Sequence, residues 1–480
     1  TFAYRSTAMP MLTGTLITVA GFLPVGIAKS VAGEYTFSIF AVNAIALITS
    51  WIAAVFFTPY IGFLLLNEKP PAGGPHDPFD SPGYRRFGAL VDWCVDRRKT
   101  VIVITLAVFA LGIFGFRFIQ QQFFPDSNRE EFNVELWLPE GAGFAASERE
   151  AKRFEAFLQR EDVAPDVVNY VTYVGTGSPR FFLPLDQQLT HANFAQIFVL
   201  TKDVAARERV REKMKAVFAA EFPDVRGRVN LLPNGPPVAY PVQFRVKGPD
   251  AALVRKYADQ VKDVMRADPN TVGVNDNWNE QIKVLRLDLD QDKARALGIS
   301  SQTLARAAQT VLTGTTIGTF REGDRLIDIV MRQPERERSV IDRLYDANIP
   351  TGNGRSVPLS QLARGELVWE PGIIWRQGRE PTITVQSEVK DGIQGPHAAM
   401  LIDPKLDDIR ARMQPGYRIE IAGAIEESKS GQDSINANMP LLVVIILTLL
   451  MLQLHSFQRS LLVFLTAPLG IIGAALALIA

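Results

Sequence analysis

The sequence holds one cysteine, Cys94, and four histidines, His76, His191, His397 and His455, with no ligand spacing among them. A single thiol excludes an internal disulfide framework and a multi-cysteine metal site. The scattered imidazoles give no reason to expect a catalytic metal, and no cofactor is expected. Charge of one sign is missing too: 51 Lys and Arg balance 51 Asp and Glu. The electrostatic footprint of a nucleic-acid binder is therefore absent. No nucleophile–base pair appears, and "GTGSPRFF" matches no phosphate-cradling loop. A membrane-anchored enzyme is accordingly the weakest reading.

What the chain does have is apolar sequence gathered into five runs: Met11–Ala28, Phe37–Leu66, Thr100–Phe118, Met439–Leu454 and Ser460–Ala480. A helix rising ~1.5 Å per residue needs roughly 17–25 residues to cross a bilayer core. Met439–Leu454 is marginal on that count unless Asn436 and Asn438 sit at the interface. Pro24 and Pro59 lie inside runs, which calls for neighbouring helices to satisfy the freed carbonyls, hence a bundle. Asn43, deep in the second run, reads as a helix–helix hydrogen bond. Apart from Arg117 at the end of the third, no run carries an Asp, Glu, Lys, Arg or His. A proton-driven transporter needs such a group within the membrane, so these residues alone are not expected to couple protons to transport.

Orientation follows from the basic residues. Lys69, Arg85, Arg86, Arg97, Arg98 and Lys99 flank two runs and put the linker 67–99 in the cytoplasm. Its stretch "PGYRRFGALVDWCVDRRK" can lie as an amphipathic helix along the inner membrane face. Everything from Ile119 to Asn438 is then external.

That external segment alternates strands and helices. "FNVELWLPEG", "VVNYVTYVG", "NFAQIFVLTK" and "GRVNLLP" read as strands, with helical periodicity over Ala146–Glu161 and Ala205–Phe222. The layout is β-α-β-β-α-β, a split βαβ unit. It recurs as Val242–Gly248, Ala251–Ala267 and Val272–Trp278, completed by Thr382–Lys390, a helix over Ala398–Met413, and Tyr417–Gly423. Between the halves lies an insertion with a helix, Ser301–Leu312, and a hairpin about "REGD". The expected fold class is an α+β membrane protein with a transmembrane bundle and repeated split βαβ, ferredoxin-like, external subdomains. The expected division is two membrane helices (1–66), a linker (67–99), a third membrane helix (100–118) and a first split βαβ subdomain (119–241). A second subdomain (242–284 and 382–438) carries an insertion (285–381), and two membrane helices follow (439–480).

Four stretches in this order are similar to those of resistance–nodulation–division (RND) efflux permeases: "FFPDSNREEFNVELWLPEGA", "RLDLDQDKARALGIS", "RSVPLSQLA" and "TAPLGIIGA". The resemblance covers essentially the whole chain and implies an interior fragment: spans five to nine of twelve, with the second periplasmic loop. It further implies proton–drug antiport across a Gram-negative inner membrane, and a homotrimer partnered by a periplasmic adaptor and an outer-membrane channel. The paired Asp residues and the Lys of the family's relay belong to spans other than these five. The insertion resembles the subdomain that docks the channel.

For the substrate region the sequence points to "VTYVGTGSPRFFLPLDQQLTHANFAQIFV", Val171–Val199, rich in aromatics, glycine and proline. Aromatic area without obligatory hydrogen bonds suits hydrophobic and amphipathic drugs or biocides. By resemblance, Val171, Tyr173, Thr176 and Phe198 fall near the family's drug pocket, with Phe181 and Phe182 in the intervening loop. Strand aromatics are as readily core, which leaves Val171, Tyr173 and Phe198 open between the two roles. Met214, Met265, Met331, Met400 and Met413 are dispersed in the sequence and read as core filling, which disfavours a heavy-metal exporter. A protein-export motor of the related secretory family is the remaining alternative, and the insertion argues against it.

Overall fold

The computed structural model describes residues 2–65, 81–116, 127–182, 184–235, 238–338, 341–351 and 354–479. Part of the linker (67–80), the end of the third apolar run and the "FFPD" that opens the first family-like stretch lie outside the described residues.

The chain opens with α1 (Phe2–Gly26) and α2 (Val31–Leu65), then amphipathic α3 (Pro82–Asp96) and apolar α4 (Arg98–Gly115). Ser81 caps α3, its hydroxyl accepting from the Tyr84 N–H at 3.4 Å, with Pro82 pre-set for the first turn. Asn43 departs from expectation: its Nδ2 donates to the Ile39 carbonyl of its own helix at 2.8 Å. A side chain that can satisfy itself one turn back needs no neighbour.

The first split βαβ unit comprises β1 (Glu131–Trp137), α5 (Phe144–Leu158), β2 (Val167–Val174), β3 (Phe194–Thr201), α6 (Val204–Glu221) and β4 (Arg226–Leu231). Its antiparallel sheet has the order β2-β3-β1-β4. Phe132, Val134 and Leu136 of β1, with Ala195, Ile197 and Val199 of β3, pack against Phe154, Phe157, Val210 and Met214 of the two helices. These residues recur with period two in the strands, so one sheet face is fixed against the helices. Asp203 starts α6 by accepting from the Ala206 N–H at 2.7 Å.

The second unit has β5 (Val242–Lys247), α7 (Ala251–Arg266) and β6 (Thr271–Asp276) before a long interruption. Within that interruption lie β7 (Gln281–Leu289), α8 (Gln291–Ala296), α9 (Ser301–Leu312), the hairpin β8 (Thr315–Glu322) and β9 (Arg325–Met331), α10 (Glu335–Arg338) and α11 (Ile341–Leu344). The short β10 (Asn348–Pro350) and β11 (Ser356–Pro358) lead to β12 (Ala363–Pro371), which returns antiparallel along all of β7. The inserted subdomain thus hangs from a two-stranded stem and has its own core of Ala294, Ile299, Leu304, Ile349, Leu359 and Leu362.

After β13 (Arg376–Gln377) the second unit resumes with β14 (Glu380–Val389), α12 (Gly395–Ile402), α13 (Asp407–Arg412) and β15 (Arg418–Ala422). β14 pairs with β5 and β6, and β15 with β5, giving β6-β14-β5-β15. Counting each unit's strands in its own order, this is the arrangement of the first sheet, which makes the two units topological repeats. The single helix expected over 398–413 is instead two helices joined by a 3₁₀ turn at Asp403–Leu406, where Pro404 lacks the amide that a continuous helix needs. The buried Trp278 donates its indole N–H to the Thr382 carbonyl at 2.8 Å, tying the residues after β6 to β14 across the insertion.

A helix absent from the sequence reading, α14 (Ala424–Asn436), leaves β15 directly and continues as α15 (Met439–Leu454), followed by α16 (Phe457–Thr466) and α17 (Gly470–Ile479). Among the described residues five helical stretches are long and apolar enough to cross a membrane: Thr7–Gly26, Gly33–Leu65, Arg98–Gly115, Ala424–Leu454 and Phe457–Leu478. Small residues set the close helix approach: a Cβ on Gly112 of α4 would stand 3.4 Å from the Ile472 Cα of α17.

Candidate functional site

The face of the first sheet turned away from α5 and α6 carries one row of Tyr173, Gln196, Glu135 and Arg228, and beside it a row of Val171, Phe198, Asn133 and Asn230. Each row runs across all four strands, because directly opposed residues of an antiparallel sheet share a face. Val171, Tyr173 and Phe198 are therefore not part of the helix-side core. Val171 is 48% exposed, while Phe198 is half-buried.

The loop from Gly175 to Asn193 folds over this face. The Ser178 N–H donates to Gln196 Oε1 at 2.7 Å, and the His191 N–H to the Gly175 carbonyl at 3.0 Å. Phe181 stands edge-on to Phe198, with ring centroids 5.0 Å apart and planes at 82°. Phe182 takes the Arg129 guanidinium over its ring at 5.1 Å. The structure thus brings Val171, Phe181 and Phe198 together near Tyr173, leaves Thr176 half-buried at the loop's start, and turns Phe182 toward Arg129.

On the β1–β4 side the same face opens into a cleft of ≈ 460 Å³ between the two units, lined among others by Asn133, Glu135, Asp186, Arg228, Glu388 and Glu427. None of the six sequence-derived candidates lines it. Its centre is Arg228 of β4, whose Nη1 donates to Glu135 Oε2 at 2.9 Å and whose Nε donates to Glu388 Oε1 of β14 at 2.9 Å. Its Nη2 donates to the Ala239 carbonyl at 2.6 Å, and the guanidinium sits 3.6 Å from the Tyr240 ring centroid. Burial alone would discourage the charge on Arg228, but Glu135 and Glu388 hold it protonated. Lys215 of α6 also reaches Asp391 of the second unit at 2.5 Å, and Asn279 Nδ2 donates to Glu140 Oε1 at 2.7 Å, so several polar tethers join the units.

Asp186, from the loop, is set apart from this network. Burial pushes its carboxyl above the usual range and the charge of Glu135 adds to that, while Arg228 and a hydrogen bond from Gln188 offset it in part. Because the folded carboxyl holds its proton more tightly than the unfolded one, ionised Asp186 reduces stability at neutral pH. The penalty disappears as pH falls through the folded pKa toward the unfolded value of about 4. Asp186→Asn is therefore expected to raise the melting temperature at pH 7, with the gain shrinking in acid. An unchanged or lower melting temperature at pH 7 would count against the strained carboxylate.

The methionines divide. Met214 and Met265 are wholly buried in the two cores and Met413 packs against the second, as core filling requires. Met331 and Met400 are instead exposed, the first on the β8–β9 hairpin and the second on α12, correcting the expectation for both. Among the described residues no three His, Cys, Asp or Glu side chains stand close enough together to hold a metal ion.

Comparison with known proteins matches this architecture. The cobalt-zinc-cadmium resistance protein CzcA of Cupriavidus metallidurans is 22% identical over 498 residues, covering 99% of this chain and 45% of the relative. The multidrug resistance protein MdtC of Yersinia enterocolitica is 22% identical over 490 residues, covering 99% and 46%. The crystal structure of a heavy metal efflux pump superposes with a TM-score of 0.74 at 17% identity, over 98% of this chain and 46% of that one. The chain spans about half the length of the relatives it matches. With the AcrB/AcrD/AcrF family model matching residues 2–480, this chain belongs to that family of RND permeases.

Proposed function

We propose that the chain is the membrane-and-periplasmic half of an inner-membrane efflux permease that exports hydrophobic and amphipathic organic compounds by proton antiport. It would act as a homotrimer with a periplasmic adaptor and an outer-membrane channel, the inserted subdomain facing the channel. The protons would be carried by ionisable groups beyond these apolar spans. The observation that carries the reading is the inter-unit cleft itself: a concave site with mixed polar and apolar walls, lying on the sheet face that also holds the Val171–Phe181–Phe198 cluster. The aromatic cluster would supply the apolar rim and Tyr173 and Thr176 its edge. The relatives divide between metal and drug resistance, and a metal-exporting reading follows from the likeness to CzcA. The drug reading is preferred on the aromatic cluster that shares the sheet face with the cleft.

In the full permease, Phe181→Ala with Phe182→Ala is expected to raise sensitivity to hydrophobic drugs several-fold while protein level stays constant. Loss of Phe181 removes the ring that stands edge-on to Phe198, and loss of Phe182 removes the ring beneath the Arg129 guanidinium. Unchanged sensitivity at equal expression would take both rings out of the substrate path. Raised sensitivity to cobalt or zinc alone would favour the metal reading.

A further inference from the structure

The proposed function leaves open what kind of organic compound the cleft prefers, and two independent observations bear on that. The first is charge. Glu135, Asp186, Glu388, Asp391 and Glu427 line the cleft against Arg211, Arg228 and Lys390, five carboxylates to three cations. Arg228 is shared by Glu135 and Glu388, and Asp391 is answered by Lys215 from outside. Arg211 in turn is drawn outward to Glu208. Asp186 and Glu427 stand outside these ion pairs, as does the cation Lys390, and one Arg228 between two glutamates leaves a further negative charge, so the lining as a whole keeps its negative excess. In a concave, partly desolvated site such an imbalance concentrates cations.

The second observation is an unsatisfied acceptor. Asn133, 6% exposed and in the cleft wall, donates its Nδ2 to Glu135 Oε1 at 3.4 Å, while its Oδ1 has no partner. The orientation of the amide is fixed by chemistry, because a carboxylate facing it can only accept. A buried carbonyl oxygen without a donor carries a desolvation penalty that an incoming N–H would relieve. Gln196, 1% exposed, sits next to it on β3 and has its Nε2 unpartnered, and Ser178 Oγ is in the same position. Asn133 and Gln196 lie on the sheet face beneath the loop that delivers Asp186, and Ser178 belongs to that loop.

We infer that the Asp186 side of the cleft is a subsite for an organic cation that carries N–H donors, such as an amine in its protonated form. The cation sits against Asp186, an N–H reaches Asn133 Oδ1 as the loop yields, and the ligand's apolar body extends along the cleft wall toward Phe198. This deepens the reading of the cleft as the substrate site and depends on it. Glu135 is not the counter-charge: it already accepts from Arg228, Asn133 and the Trp137 indole.

The test titrates the purified full-length permease in detergent with two fluorescent probes, ethidium as a cation bearing amino groups and N-phenyl-1-naphthylamine as an uncharged hydrophobe. Asp186→Asn is expected to weaken ethidium binding about tenfold, the loss of ~1.4 kcal/mol, and to leave the naphthylamine within twofold. Asp186→Glu should restore most of the ethidium affinity. Since the Asn variant is expected to be the more stable one, weakened binding cannot be put down to unfolding. An unchanged ethidium affinity, or an equal loss for both probes, would overturn the cation subsite while leaving the cleft as a binding site. Failure of the unaltered permease to bind either probe would overturn the proposed function itself. Competitive displacement of ethidium by micromolar zinc or cobalt would replace the organic cation by a metal ion.

Discussion

Replacing Arg228 by alanine is expected to lower the stability of the external region by about 3–5 kcal/mol, the usual result of removing one partner from a buried ion pair. The size follows from what remains behind. Glu135 is 3% exposed and would keep its charge with only the distant Asn133 amide and the Trp137 indole as donors. The Ala239 carbonyl and the Tyr240 ring would lose their cation as well. Since Arg228 also holds Glu388 of the second unit, the same change would loosen the two units from each other. At roughly 2–4 °C per kcal/mol for a region of this size, a melting shift of the order of 10 °C is expected. Arg228→Met with Glu135→Gln should recover much of it, because that pair removes the stranded charge along with its partner. A single variant within 2 °C of the parent would show that water reaches Glu135 and that the network contributes little.

Why this network was not legible in the sequence is a matter of distance and of coverage. Period-two alternation in "FNVELWL" marks Phe132, Val134 and Leu136 as the buried face, and they are. By the same rule Asn133 and Glu135 should face water, but the Gly175–Asn193 loop and the second unit cover that side too. A sheet enclosed on both faces by unlike layers defeats alternation, and the partner Glu388 lies 160 residues along the chain. The split βαβ order, the presence of an insertion and the apolar helices were legible because each rests on local periodicity or length, whereas the β7–β12 stem, which pairs strands far apart in the chain, was not. The break at Pro404 carried a signal that could have been used, since a proline within a helical pattern ends the helix. The helix α14 carried a weaker one: "AIEESKSGQDSIN" is polar on most sides and gains its partners from β15, α12 and α2. For Val171 and Phe198, composition allowed either sheet face. Only the strand register places them opposite the helix-side core.

The loop over the site sets up the second large effect. A Cβ on Gly177 would lie 2.7 Å from the Gln188 carbonyl oxygen, 2.9 Å from the Gln188 Cβ and 3.1 Å from the Gln188 nitrogen. The obstacle is mostly backbone, so no rotamer change relieves it, and Gly177→Ala must push the two limbs of the loop apart. Overpacking of this kind costs about 1–3 kcal/mol. The functional consequence is larger than that figure, because the strain falls on one loop and not on the whole fold. Parting the limbs breaks the Ser178 N–H donation to Gln196, leaving a side chain that is now 1% exposed without that hydrogen bond. It also lifts Phe181 from Phe198 and withdraws Asp186 from the cleft. Each 1.4 kcal/mol of loop opening multiplies the open population tenfold. Trypsin cleavage after the exposed Arg180 is therefore expected to accelerate tenfold or more in Gly177→Ala, with a concurrent loss of ethidium affinity at least as large as that of Asp186→Asn. Faster cleavage with binding intact would separate the loop from the subsite. Unchanged cleavage would mean that the limbs have room to part without opening, and that the loop does not guard the sheet face.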